Sequence, residues 1–312
     1  MTRVLLLGGS GFIGRRIARQ LTALGIRSTI PSRNRERAKP DLLVLPLVDL
    51  VAADIHDPAM LSTLIHGVDA VINLVGVLHD SSGEFSRSHV QLPGTVAQLC
   101  ERHGVPRLLH VSALRADSAA ASKYLRSKAD GEAAAMRSKS VAVTLFRPSV
   151  VFGEGDQFLT RFAQLASLSP VFPLAGARTR FQPVYAEDVA RAIALSVLMP
   201  ETRGQTYELC GPSVYTLADL VRLAANARGR HPVVFGLPHP LAYLQALLLE
   251  HLPGRLLTRD NLASMRTDSV ASNPAEPFPK VFGFGPTKLE SVASEYLQPV
   301  HSRYDGFRAR PR

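Results

Sequence analysis

The chain has no tryptophan and only two cysteines among its 312 residues, and aromatics make up 6% of it. Cys100 and Cys210 are too few for a disulfide framework, and the usual four-ligand zinc spacing is absent, so no metal is expected. A reducing compartment fits. No run of about 20 continuous apolar residues exists to span a membrane. The nearest candidate, 231–249, is interrupted by Pro232, Pro238 and Pro240. The opening MTRVLLLGG has an apolar run of only four residues before its glycines and no cleavage-site pattern, so no signal peptide is expected. These absences point to a cytoplasmic protein or a mature form. The G-x-S-x-G elbow, the H-E-x-x-H zinc helix and the Walker loop are also missing.

Carboxylates are scarce relative to cations: 26 acidic against 36 basic residues give a net charge of +10. Such a chain suits an anionic partner: a phosphorylated cofactor, nucleic acid or an anionic membrane surface. Nucleic acid is disfavoured, because no recognisable module and no aromatic interleaving accompany the charge. The 46% hydrophobic content excludes a disordered chain and is enough to bury a core without staples.

Strand and helix signals alternate through the first half. VLLL at 4–7 reads as a buried parallel strand, and Ile13, Ile17, Leu21 and Leu24 recur at helical spacing up to Gly25. Further strands are expected near 27–31, 48–53, 70–76, 107–113 and 141–148, with helices from Pro58 to about Gly67, at 85–103 and at 122–138. The rhythm predicts an α/β protein: a doubly wound parallel sheet (a Rossmann fold) over 1–150 and a smaller C-terminal α/β substrate domain over 151–312. Residues 183–211 are expected to return to the sheet, and the basic tail 301–312 to be mobile.

GGSGFIG places Gly8, Gly11 and Gly14 between the first strand and first helix, with Ser10, Phe12 and Ile13 in the same turn. Glycines there allow a tight turn and close backbone approach, and the helix N-terminus offers free N–H groups to a pyrophosphate. At the end of the second strand stand Ser32 and Arg33, with no carboxylate before Glu36. An acidic residue at that place would read a ribose 2′-hydroxyl, whereas arginine clamps a 2′-phosphate. NADP(H) is therefore favoured over NAD(H). The other reading, arginines on a solvated loop, stays open.

These motifs resemble the short-chain dehydrogenase/reductase superfamily in its extended or atypical, epimerase/dehydratase-like branch. Asp54 and Ile55 resemble its adenine contact, and Asn73-Leu74-Val75-Gly76 its fourth-strand cofactor loop. Tyr124 and Lys128 match its Tyr-x-x-x-Lys pair, and Arg147-Pro148 through Gly153 the passage to the substrate domain. Segments such as NLVGVLHD, SKYLRSKADGE, FQPVYAEDVA and TRDNLASMRTD resemble more narrowly the NADPH-binding accessory subunits of respiratory complex I and their bacterial relatives. The resemblance implies a structural, assembly or redox-sensing role near quinone metabolism. A membrane-associated respiratory or quinone-biosynthesis partner, and a peripheral position at the inner membrane, would accompany it.

Catalysis is a separate question. Tyr124 and Lys128, four apart, share a helix face, and a nearby ammonium lowers the pKa of a phenol from about 10. The family's hydroxyl at the end of the fifth strand is less clear. Ala113 falls on its usual position and Ser112 one residue earlier, where strand alternation turns the side chain to the other face. Ser122 is a second candidate, in a loop. An active NADP-dependent oxidoreductase or epimerase on a quinone-related, isoprenoid or sugar-nucleotide substrate therefore stands beside the binding role. His79 reads either as a ligand contact or as a loop histidine bonded to backbone. Leu241, Leu244, Leu247, Leu248 and Leu252, widened by Leu249, Leu256 and Leu257, form either a buried helix of the second domain or an exposed apolar surface. Arg255, Arg259 and Arg266 would suit anionic headgroups beside the latter.

Overall fold

A computed structural model describes residues 1–80, 82–251, 257–272 and 278–298. The basic tail, Leu252, Arg255 and Leu256 lie outside these. In chain order the first half runs β1 (Arg3–Leu7), α1 (Phe12–Ala23), β2 (Arg27–Ser32), α2 (Arg35–Leu42), β3 (Val48–Ala52), α3 (Pro58–Ile65) and β4 (Ala70–Asn73). A π-helix (Phe85–Gln91), α4 (Leu92–Arg102), β5 (Arg107–Val111), α5 (Lys123–Ala135) and β6 (Ala142–Pro148) follow. After these come β7 (Val151–Phe152), α6 (Leu159–Ala166), β8 (Val171–Leu174), β9 (Arg180–Phe181), β10 (Val184–Tyr185), α7 (Ala186–Ser196), β11 (Thr206–Leu209), β12 (Tyr215–Thr216) and α8 (Leu217–Asn226). The last described elements are β13 (Val233–Gly236), α9 (His239–Leu249), α10 (Arg259–Ser264), a second π-helix (Phe278–Phe282) and α11 (Leu289–Leu297).

Seven strands form one sheet in the order β11-β6-β5-β4-β1-β2-β3, with every pairing parallel. A parallel sheet needs apolar cover on both faces, and the alternation within VLLL supplies both. Val4 and Leu6 pack under α1 and α7, while Leu5 and Leu7 face α3 and α4. The strand order reverses between β1 and β4, so a crevice opens there at the strand C-termini. Asp57 caps α3 through the Ala59 N–H, with Pro58 in its first turn, as the sequence predicts.

Within residues 183–211, α7 packs on α1 and β11 pairs with β6. A later segment joins them. Phe278 and Phe282 enter the core under α7, and Phe282 meets the Tyr207 ring edge-on. A separate core gathers Phe152, Leu159, Phe181, Leu217, Leu220 and Leu289 from the smaller unit, beside the short pairs β7–β10, β9–β12 and β8–β13.

Two helical expectations need correction. Residues 85–103 are not one α-helix, because the first seven wind as a π-helix. Pro93 has no N–H to donate to the His89 carbonyl four residues earlier. Leu92 N–H reaches back five residues to Arg87, and Gly131 of α5 packs against the freed His89 carbonyl. In addition, 35–42 is helical, capped by Asn34, where the sequence reading places no helix.

Candidate functional site

The glycine turn has the geometry of a phosphate cradle. Gly8 adopts φ +80°, which glycine accepts without strain. A Cβ on Gly14 would lie 2.3 Å from the Gly8 carbonyl oxygen, so helix and turn can close together only over glycine. No side chain caps α1, and no carboxylate occupies its first turn. Gly11 N–H bonds to Gly8, and the helical ladder starts at Arg15, leaving the Phe12, Ile13 and Gly14 N–H groups at the open end beside Ser10. Uncapped donors at the positive end of a helix dipole fit a dinucleotide pyrophosphate. Arg16, not singled out in the sequence, fixes the helix behind the turn. It is buried, donates to the Phe12 and Glu154 carbonyls and pairs with Glu187 at 3.0 Å.

The neighbouring strand ends carry the other expected contacts. Ser32 ends β2 half-buried, and Arg33 is exposed beyond it. Asp54 follows β3, exposed, with Oδ1 accepting from the His56 N–H, while Ile55 packs on the core. Burial lowers the pKa of His56, and the nearby charges of Arg87 and Arg33 lower it further. Arg87 lies 3.9 Å from Asp54. It comes from the π-helix, a source that strand-end motifs do not point to. Leu74 packs on Gly8, Val75 N–H donates to Asn73 Oδ1, and Gly76 lies near Lys128 Nζ.

Lys123 begins α5 because Ser122 precedes it as an N-cap. The Ser122 oxygen, expected in a loop as a catalytic alternative, is buried and accepts from the Leu125 N–H at 3.0 Å. Asp260, at the start of α10, accepts from the Lys123 and Tyr124 N–H groups at 2.6 and 3.1 Å. Two caps, one from a remote segment, thus hold the first turn that carries Tyr124. Behind it, Val77 N–H donates to His89 Nε2 at 2.9 Å, and His89 Nδ1 meets Ser127 Oγ at 2.8 Å. Ser127 in turn donates to the Tyr124 carbonyl. With Nε2 accepting, the His89 proton sits on Nδ1. Lys128 is buried and donates to the Val111 carbonyl at 3.0 Å, and Arg147 grips the buried Glu132 with two hydrogen bonds.

Burial pushes the Tyr124 phenol up to about 12, the reverse of the lowering expected from a neighbouring ammonium. It brings the Lys128 ammonium down to about 8, against the raising influence of Glu132. Near neutral pH Tyr124 is therefore a neutral phenol, able to donate a proton, and Lys128, one helical turn further on, an ammonium.

Tyr124 opens into a cavity of about 940 Å³. Phe12, Ala113 and Pro148 line it at the sheet edge, and Phe162, Leu174 and Met265 line its far wall. His79 is also in the lining. Ser112 is not. Its N–H is paired with Phe146, and its Oγ is buried with no hydrogen-bond partner among the described residues. Strand alternation turns Ala113 to the cavity and Ser112 away, so Ser112 is not in place to hold a substrate oxygen.

The parallel sheet, the order reversal and the glycine turn define the class: an NAD(P)-binding Rossmann protein. The chain belongs to the NAD dependent epimerase/dehydratase family, which matches residues 4–210. It is related to NADH dehydrogenase (ubiquinone) 1 alpha subcomplex subunit 9 of mitochondria. The Mus musculus protein is 33% identical over 311 residues, covering 93% of this chain and 78% of that one. A ceramide reductase of Caulobacter vibrioides is 29% identical over 238 residues, covering 76% and 74%. Among solved structures, a dTDP-glucose 4,6-dehydratase from Streptomyces venezuelae superposes with a TM-score of 0.74 at 22% identity, covering 95% and 96%. An NADPH-dependent quinone oxidoreductase from Escherichia coli gives 0.75 at 21%, covering 93% and 98%. At those identities the two structures share the fold.

Proposed function

We propose that this protein binds NADP(H) and reduces a carbonyl, or oxidises the corresponding alcohol, on a long apolar substrate. The observation that carries the reading is the cavity of about 940 Å³, which joins Tyr124 to walls of leucine and phenylalanine. The lining is mainly apolar, with Arg115, Gln157, Arg161 and Asn261 among the polar groups set in it, which suits a long apolar substrate with a polar end. The ceramide reductase among the relatives is a named precedent for such a substrate.

In this reading Gly8, Ser10, Gly11, Phe12, Ile13 and Gly14 hold the pyrophosphate, and Ser32 and Arg33 hold the 2′-phosphate. Asp54 and Ile55 flank the adenine. Leu74, Val75, Gly76 and Pro148 border the nicotinamide half. When bound, the dinucleotide supplies or accepts the hydride. Tyr124 delivers the proton to the substrate oxygen, and Lys128 holds the ribose and steadies the phenolate left behind. Its charge state near neutral pH favours the reductive direction.

A second reading is a held-cofactor subunit with a respiratory partner at the membrane, as the name of the Mus musculus relative describes. The alanine facing the cavity at position 113 favours it, because no strand hydroxyl is there to fix a substrate oxygen. Two measurements separate the readings. Nucleotide released from gently purified protein is identified by mass spectrometry, and turnover of long-chain ketones is compared for the native protein and Tyr124→Phe. Turnover that vanishes in Tyr124→Phe while NADPH still binds supports the enzyme. Copurified NADPH with no turnover of any ketone supports the subunit. Arg33→Asp is expected to weaken NADPH by about tenfold or more and to leave NADH nearly unchanged. A larger thermal shift for NADH in the native protein overturns the 2′-phosphate assignment.

A further inference from the structure

The apolar helix of the smaller unit does not bury its leucines. Only Ala242 and Ala246 of α9 are buried, whereas Leu241, Leu244 and Leu248 are 51%, 50% and 62% exposed. At about 100° per residue, these three leucines fall within an arc of roughly 60°. Gln245 and Leu249 come next around the helix, and both line the cavity. The two alanines follow, packed against Leu262 and Ala175. One helix thus presents, side by side, an outward leucine ridge, a cavity wall and a packed face.

The two-stranded sheet beside α9 carries further exposed apolar side chains. Gln245 ties α9 to it by donating to the Pro173 carbonyl at 3.1 Å. In the parallel register Val233 faces Val171 and Phe235 faces Pro173, which puts these side chains on one face. Val171, Val233 and Phe235 are 47%, 66% and 45% exposed there, while Val234 and Leu174 point inward.

The chain segments that build this surface are rich in cations. Residues 157–186 and 220–249 contain no aspartate or glutamate, where the chain average would place five in 60 residues. They contain six arginines, of which Arg178, Arg180, Arg222 and Arg230 are exposed, Arg180 paired with Asp268 and Arg222 with Asp219. An apolar ridge on segments with an excess of arginine matches an anionic bilayer surface, where apolar side chains enter the interface and arginines meet the headgroups.

We infer that the α9 ridge and the outer face of β8–β13 dock on an anionic lipid bilayer, so that the cavity opens against the membrane and an apolar substrate reaches Tyr124 without crossing water. The substrate route rests on the reading above, but the docking surface rests on residues outside the cofactor site.

The test is co-sedimentation of the full chain with vesicles of phosphatidylglycerol and phosphatidylcholine, against vesicles of phosphatidylcholine alone. The protein is expected to partition to the anionic vesicles, more weakly at high salt. The double variant Leu244→Glu, Leu248→Glu is expected to lose tenfold or more of that partitioning, and Phe235→Glu a smaller part. All three positions are exposed, so the thermal midpoint and the NADPH-induced shift should be unchanged. That control separates failure of docking from failure of the cofactor reading. The inference is overturned if the native protein ignores anionic vesicles or if the double variant partitions as the native protein does. It is also overturned if the protein is a dimer that the double variant dissociates while no vesicle binding is seen, since a second copy then covers the ridge.

Discussion

At the residue scale, the site depends on a few atoms that have no freedom to change. Gly14 and Gly11 look equivalent in the motif, but they differ in space. A Cβ at Gly14 would overlap the Gly8 carbonyl oxygen and the Gly9 backbone at 2.3–2.7 Å, whereas at Gly11 the closest atom is 3.2 Å away. Gly14→Ala is therefore expected to cost about 3 kcal/mol or more and to abolish nucleotide binding. Gly11→Ala should cost under about 1 kcal/mol, because the shift needed is a few tenths of an ångström and its φ is −80°. Thermal melts with and without NADPH check both, and equal losses would refute the distinction. Ser112 and Ala113 differ in the same way: the residue with the chemistry faces the core and the residue without it faces the cavity.

At the element scale, α5 is the most constrained helix of the site. It is capped by Ser122 and by Asp260, backed by His89, and seated on the π-helix through Gly131, where a Cβ would fall 1.9 Å from the His89 carbonyl. Asp260→Ala removes the acceptor for the Lys123 and Tyr124 N–H groups and a negative charge from the helix N-terminus. The expected cost is about 1 kcal/mol of stability. In an active enzyme it should also lower kcat with KM for NADPH unchanged, because Tyr124 shifts while the glycine turn does not. Asp260→Asn, which keeps one acceptor oxygen, should recover part of both. A kcat unaffected by Asp260→Ala would show that Ser122 alone positions the turn.

At the scale of the whole molecule, two buried histidines on different elements link folding to pH. Burial, reinforced by the Lys128 charge, lowers both His89 and His110 to about 3. The unfolded chain titrates these groups near 6.5. Between pH 6.5 and 3 the unfolded state therefore holds protons that the folded state refuses, and stability is complete above about pH 6.5 and lost as pH falls. Melting temperatures are expected to drop steadily on acidification below 6.5. His89→Gln and His110→Gln should each flatten that slope by up to one proton, about 1.4 kcal/mol per pH unit. Slopes identical to the native protein would exclude the assignment. The same scale joins the two parts of the chain. Phe278 and Phe282 return to the sheet core, and Thr287 donates to Asp188 of α7, so the late chain braces the nucleotide-binding half.

The sequence by itself determined the nucleotide-binding half. Its signals are local: apolar runs of strand length, glycines at a strand-to-helix turn, Asp57-Pro58 at a helix start, and Tyr124 and Lys128 four apart. Each is fixed by backbone sterics or hydrogen bonding within a few residues, so the order along the chain carries it. What only the tertiary structure decided depends on distant groups meeting. Asp260 is 136 residues from the Tyr124 N–H it accepts, and no spacing rule connects them. The π-helix arises where a missing proline N–H coincides with a glycine on another helix. The leucines of α9 read equally as core or as surface until the packing of Ala242 and Ala246 shows which face is covered. Burial is a property of neighbours in space, and a helical period alone gives the stripe but not the side that faces water.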